Sequence, residues 1–251
     1  MIIDTHAHLD DNRYDDILDS VLMNASLEDV KYHIIPGADI NTLDKACQIA
    51  QKYDNVYFAA GVHPYDIKDF SLEYLKSFIN HKKCLAIGEC GLDYFRKPSN
   101  EEKELQKKVF RQQIELAIEC NKPLIVHIRD ANEDSLNILK EYKNAYGVLH
   151  CFNASPILLE LSDRFYYGIG GVLTFKNAKS LVEILPKISE NRLLIETDSP
   201  YLTPHPHRGE LNEPKYCSLV AIKIAEILNK SLEEIKEITT NNAKNLFKGL
   251  V

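Results

Sequence analysis

His6 and His8 stand two residues apart, just after the apolar run Ile2-Ile3. In an extended strand alternate side chains point the same way, about 6.5–7 Å apart along the chain, so two such imidazoles can converge on one ion. Similar polar endings recur on later apolar runs. His63 follows Val56–Val62, Glu89 follows Cys84–Gly88, His127 lies in Pro123–Ile128, His150 closes Gly147–His150, and Asp198 follows Leu193–Thr197. Taken singly, each is an ordinary polar residue at a strand end. Taken together, these imidazoles and the carboxylates of Glu89 and Asp198 offer nitrogen and oxygen donors for one or two divalent cations. The chemistry of such a centre is hydrolysis by an activated water.

These residues can act together only if the elements carrying them open on one face. Strand-like and helix-like segments alternate along all 251 residues. Strands are predicted at Ile2–His6, Tyr32–Ala38, Val56–Val62, Cys84–Gly88, Pro123–Ile128, Gly147–His150, Tyr166–Gly170 and Leu193–Thr197. Helical spacing falls between them, over Tyr14 to about Lys31, Leu43–Ala50, from Ser71 onward, Asn100–Asn121, Asn132–Lys143, a short piece from Ser155-Pro156, and Lys179–Ile188. Two helices, Tyr216–Asn229 and Ser231–Lys248, close the chain, the second opening on a capping box. Leu124–Val126 and Leu193–Ile195 are continuously apolar, the pattern of parallel strands buried on both faces.

Eight β-α units in about 250 residues are the arithmetic of a single α/β domain over residues 1–251, a (β/α)8 TIM barrel. An open doubly wound sheet would gather its polar residues at one crevice, whereas here they end many strands. Parity puts Asp4 on the face of His6, and Glu196 on that of Asp198. Either acid could orient an imidazole or pair with a buried cation.

The net charge is −7, unlike that of a protein that coats long nucleic acid. Any nucleic-acid role must be local, such as gripping an end or one phosphate. Six cysteines form no C-x-x-C and no leader precedes the first strand, so reduced thiols in a cytoplasmic protein are expected, acting as a monomer. No apolar run approaches the roughly 20 residues that span a bilayer, and no membrane partner is expected.

The chain resembles the TatD family of metal-dependent deoxyribonucleases, within the amidohydrolase-like barrels. The matching stretches are Asp4-Thr5-His6-Ala7-His8-Leu9, Gly61-Val62-His63-Pro64, Ile87–Tyr94, Val126-His127-Ile128-Arg129, His150-Cys151-Phe152, Glu196–Leu202, Pro204–Gly209 and Asn212-Glu213-Pro214. They run through the chain in order. The resemblance implies two divalent ions (Mg²⁺, Mn²⁺ or Zn²⁺), one held by His6, His8, Glu89 and Asp198, the other by Glu89, His127 and His150, with Glu89 as bridge. Many relatives in the wider superfamily bridge with a carboxylated lysine; glutamate on the fourth strand favours the TatD branch.

The implied reaction is hydrolysis of a phosphodiester at a 3′ end of DNA, or of a small phosphodiester. Asp198 would position the water and take its proton, and His63 would contact phosphate or protonate the leaving group. Arg129 and Arg208 are candidate phosphate contacts. Tyr65, Tyr94 and Tyr201 are candidates for stacking on bases. A hydrolase of an amide, lactone or aminoacyl ester is the rival, and the acidic composition favours a small substrate. A binding module without activity would be expected to lack a ligand, and none is missing.

Overall fold

The computed structural model describes residues 1–250. Its strands are β1 (Ile2–Asp4), β2 (Val30–Ile35), β3 (Val56–Ala60), β4 (Cys84–Asp93), β5 (Leu124–Arg129), β6 (Gly147–Leu149), β7 (Phe165–Ile169) and β8 (Leu193–Ile195). All neighbours pair in parallel, in chain order from β1 to β8. Just past their ends, β8 and β1 meet: Thr5 N–H donates to Ile195 O at 3.1 Å, Asp198 N–H to His6 O at 2.9 Å, and Ala7 bridges Ser199. These contacts close the sheet into a TIM barrel.

Ile3, Ile34, Ala59, Ala86, Ile125, Val148 and Leu194 fill the barrel interior as one apolar cluster. Residues of opposite parity, such as Ile2, Ile35, Phe58, Val126 and Ile195, join the larger cluster beneath the helices. Strands buried on both faces therefore read as continuous apolar runs.

The helices are α1 (Leu18–Leu27), α2 (Leu43–Lys52), α3 (Leu72–Phe78), α4 (Asn100–Glu119), α5 (Asn132–Glu141), α6 (Lys179–Ile184), α7 (Cys217–Leu228) and α8 (Leu232–Leu246). The Ser71 side chain caps α3 by accepting from Tyr74 N–H, and capping boxes start α4 at Ser99 and α8 at Ser231. The first helix is shorter than its periodicity suggests, because Asn12–Tyr14 is a separate 3₁₀ turn that buries the Tyr14 ring. After β6 the helix is only a 3₁₀ segment, Pro156–Leu161, and Ser155 gives it no side-chain cap. The helix α6 gives way to a 3₁₀ turn containing Pro186.

The largest departure is β4. It continues through Asp93, well past Gly88, because Gly91, Leu92 and Asp93 keep pairing with His127, Ile128 and Arg129 of β5. Between Ile87, opposite Leu124, and Cys90, opposite Val126, the register accommodates one extra residue. Such a bulge re-aims a side chain, here Glu89. Gly88 has a φ of +144°, and a Cβ there would lie 2.5 Å from Ile125 O. No helix among the described residues is long and apolar enough to cross a membrane.

Candidate metal centre

Glu89, only 3% exposed, sits at the middle of the carboxyl mouth. Its two oxygens face different groups. Oε2 lies 3.3 Å from His6 Nε2 and 3.9 Å from His8 Nε2. Oε1 lies 2.9 Å from His127 Nδ1 and 3.2 Å from His150 Nε2. Asp198 Oδ1 joins the first group, 3.6 Å from His6 Nε2 and 3.3 Å from His8 Nε2. Each expected ligand is therefore brought to the mouth.

The donor set fits cations. His6 Nε2 and His8 Nε2 are 3.3 Å apart and face the same two carboxylate oxygens. Each N–H can serve one acceptor well, so protons alone satisfy this cluster poorly, whereas an ion takes all four donors at once. The ligand atoms of His6, His8 and Glu89 lie within 4.8 Å of one another, as do those of Glu89, His127 and His150. Burial alone would raise the Glu89 pKa, but His150 and His6 beside it hold it well below the usual range. Burial would also raise the pKa of the half-buried Asp198, but His8, His150 and His6 hold it down. Both carboxylates thus remain anionic.

Buried acids hold the outer edges of two rings. His127 Nε2 meets Asp93 Oδ2 at 2.9 Å, and His150 Nδ1 meets Glu196 Oε1 at 3.2 Å. Such partners fix ring orientation. The role expected of Glu196 thus falls on His150. Asp4 departs from expectation. Thr5 is a bend, which breaks the strand parity. Asp4 accepts from Thr197 N–H (3.0 Å), the Thr197 hydroxyl (2.6 Å) and His6 backbone N–H (3.2 Å), and touches no imidazole nitrogen. It ties β1 to β8 instead. Asp93, in a motif of the sequence but given no role there, shares parity with Glu89. The longer β4 makes that parity meaningful.

His63 Nδ1 accepts the Tyr65 backbone N–H at 3.1 Å, which leaves the ring proton on Nε2 when the ring is neutral. That Nε2 faces Glu89 Oε1 at 3.8 Å. Burial pushes the His63 pKa down to about 3, so the ring is neutral.

The centre opens into a cleft of about 830 Å³ whose walls include Tyr65, Arg96, Arg129, Phe152 and Tyr201. Two expected substrate contacts are not brought to it. Arg208 donates to Thr203 O at 2.7 Å and stacks on Phe175, and the Tyr94 hydroxyl donates to Asp134 at 2.7 Å. Arg96, on the loop after β4, is a cleft residue the sequence did not single out. All six cysteines are free.

A closed α/β barrel with imidazoles and carboxylates gathered at its carboxyl mouth defines a metal-dependent hydrolase of the TIM-barrel class. A sequence model of the family described as TatD related DNase matches residues 3–248. The chain is 46% identical over 255 residues to YabD, an uncharacterized metal-dependent hydrolase of Bacillus subtilis, with 99% of each chain covered. It is 38% identical over 256 residues to YcfH, an uncharacterized metal-dependent hydrolase of Escherichia coli, covering 98% of this chain and 95% of that one. The fold overlays on the crystal structure of YJJV, a TatD homolog of Escherichia coli, with a TM-score of 0.90 at 28% identity, covering 98% of this chain and 97% of the other. The chain belongs to the TatD family of metal-dependent hydrolases.

Proposed function

We propose that the protein hydrolyses phosphodiester bonds at the 3′ ends of single-stranded DNA, using two divalent ions. His6, His8, Asp198 and Glu89 would hold one, and Glu89, His127 and His150 the other. The observation that carries this reading is the division of Glu89, with one oxygen toward each group. When bound, such a pair of ions acidifies a water and neutralises charge on the phosphoryl oxygens.

The chain's own residues supply the rest. Asp198 engages His6 and His8 through Oδ1, while Oδ2 makes no hydrogen bond among the described residues and is free to orient the attacking water and accept its proton. His63 presents an Nε2–H that can donate to a phosphate oxygen or to the departing one. Arg129 faces the same cleft. The family name supports DNA as the polymer.

Four aspartates on the cleft wall, Asp10, Asp11, Asp39 and Asp66, favour a second reading, a small amide or ester substrate without phosphates. One assay separates the two. Chelator-stripped protein is given Mg²⁺, Mn²⁺ or Zn²⁺ with 3′-end substrates of labelled single-stranded DNA, a chromogenic phosphodiester, an amide and a lactone. Stepwise shortening from the 3′ end, lost in Asp198→Asn, is expected. Amide or lactone turnover without DNA cleavage would overturn the proposal.

A further inference from the structure

Of the seven arginines, five spend their guanidinium donors on the protein: Arg13 on Asp11, Arg111 on Glu141, Arg164 on the carbonyls of Leu139, Tyr142 and Ala145, Arg192 on Asp163 O, and Arg208 on Thr203 O. Among the described residues, the guanidinium groups of Arg96 and Arg129 alone make neither a hydrogen bond nor an ion pair, and both residues are exposed on the wall of the cleft. In a chain of net charge −7 with carboxylates close by, two guanidinium groups left unpaired at one place call for an anion from outside.

Their positions are fixed without using a donor. The Arg129 Cζ lies 3.6 Å from the centre of the Phe95 ring, and the Arg96 Cζ lies 4.0 Å from that of Tyr65. Stacking of this kind holds a planar cation and leaves its N–H edge free, and that edge matches the paired oxygens of a phosphate. One carboxylate sets both platforms. Asp93 Oδ1 accepts from the Tyr65 hydroxyl at 2.6 Å and from the Phe95 backbone N–H at 2.9 Å, while Oδ2 meets His127 at 2.9 Å. The ring facing Glu89 and the two arginine platforms thus share a single anchor. Arg129 lies two residues beyond His127 on β5, roughly 7 Å farther from the centre along the strand.

We propose that Arg96 and Arg129 form a phosphate clamp outside the metal centre, gripping the strand beyond the bond that is cut. The substrate class of this site is therefore a chain carrying more than one phosphate, leaving the mouth over β4 and β5 and away from the aspartates that follow β1 and β2. The clamp rests on the phosphodiester reading above for what it serves, but its binding can be measured apart from turnover.

The test uses Mg²⁺-loaded protein and a fluorescent thymidine tetranucleotide with phosphorothioate links that resist hydrolysis, bound over a range of salt concentrations. In the doubly substituted Arg96→Ala/Arg129→Ala protein, Kd is expected to rise 10- to 100-fold, and the log–log salt slope to fall by about 1.4, the value for two lost phosphate contacts to a single strand. Arg129→Lys should recover the slope but not the full affinity, because it keeps the charge and loses the fork. The loss in kcat/KM on ordinary oligonucleotide should exceed that on a one-phosphate chromogenic diester at least tenfold, chiefly through KM. An unchanged Kd and slope, or equal losses on the two substrates, would overturn the clamp, as would failure of the unsubstituted protein to bind the tetranucleotide. Arginine-dependent binding with no cleavage of ordinary DNA would leave the clamp standing and remove the nuclease reading.

Discussion

At the amino-terminal end of the barrel, Leu246, Phe247 and Leu250 close against Ile3, Leu85 and Leu194. At the carboxyl end, His6 is as fully buried as Phe247, and Glu89 nearly so. The two ends differ in what burial leaves unmet. The floor contributes stability simply by leaving water, at about 25 cal/mol per Å² of apolar surface. The mouth gathers charged and polar groups whose removal from water is costly unless each finds a partner. Stability should therefore respond to the floor, and activity and metal content to the mouth.

The sharpest way to break that division is Glu89→Ala. Turnover should fall on the order of a thousandfold or more, and at least one ion should be lost on elemental analysis. The metal-free melting temperature should stay within a few degrees of the parent, since the core lies below. Near-normal turnover would refute the bridging role. Phe247→Ala is the reverse experiment. Truncating a fully buried ring costs about 3–5 kcal/mol, read by denaturant unfolding, while kcat at 25 °C should change less than twofold. A matching loss of kcat would mean that the floor and mouth are mechanically coupled.

Asp93→Asn sharpens the comparison within the mouth. It keeps the shape and removes the charge behind His127, so metal affinity or activity should drop about 10- to 100-fold. Because the same carboxylate anchors Tyr65 and Phe95, KM for oligonucleotide should rise as well. A change in KM alone, with metal affinity intact, would assign Asp93 to the arginine platforms only.

The barrel was legible because apolar runs, turn residues and polar strand ends repeat in step, and each repeat carries its own signal. The residues that meet at the mouth were legible for the same reason: His6, His127, His150 and Asp198 lie at or just past the ends of apolar runs. What stayed hidden depends on local backbone geometry. A bend at Thr5 turns Asp4 away from the imidazoles, and period-2 arithmetic does not register a bend. β4 reads as finished at Gly88, because the glycine and the polar residues after it look like a loop. The pairing that continues past the bulge is supplied by β5, a partner distant in sequence. Continuing the alternation Glu89, Gly91, Asp93 was the available clue. Arg96, Tyr94 and Arg208 sit on or beside loops, whose paths no periodicity describes.

The smallest predicted effect compares two kinds of buried histidine. At the mouth, burial would lower the pKa values of His8 and His127, yet neighbouring carboxylates raise both. His33, on β2, alternates with the interior Ile34 and so faces the helix layer. It is fully buried, neither ring nitrogen has a hydrogen-bond partner among the described residues, and burial alone pushes its pKa down to about 3. The folded state therefore holds this ring neutral, while the unfolded chain takes up a proton near pH 6.5. The folded pKa is depressed, so the associated stability is fully present above about pH 6.5 and is lost progressively as pH falls toward 3. His33→Leu removes the titrating group and leaves the mouth unchanged. Relative to its difference from the parent at pH 7.5, the variant should gain roughly 2 kcal/mol at pH 5, measured by urea unfolding of metal-free protein. The mouth groups titrate identically in the two proteins and cancel from the difference. If the two stability curves ran parallel from pH 7.5 to 5, His33 would have a proton partner in solution, and the acid sensitivity of the fold would belong to the mouth alone.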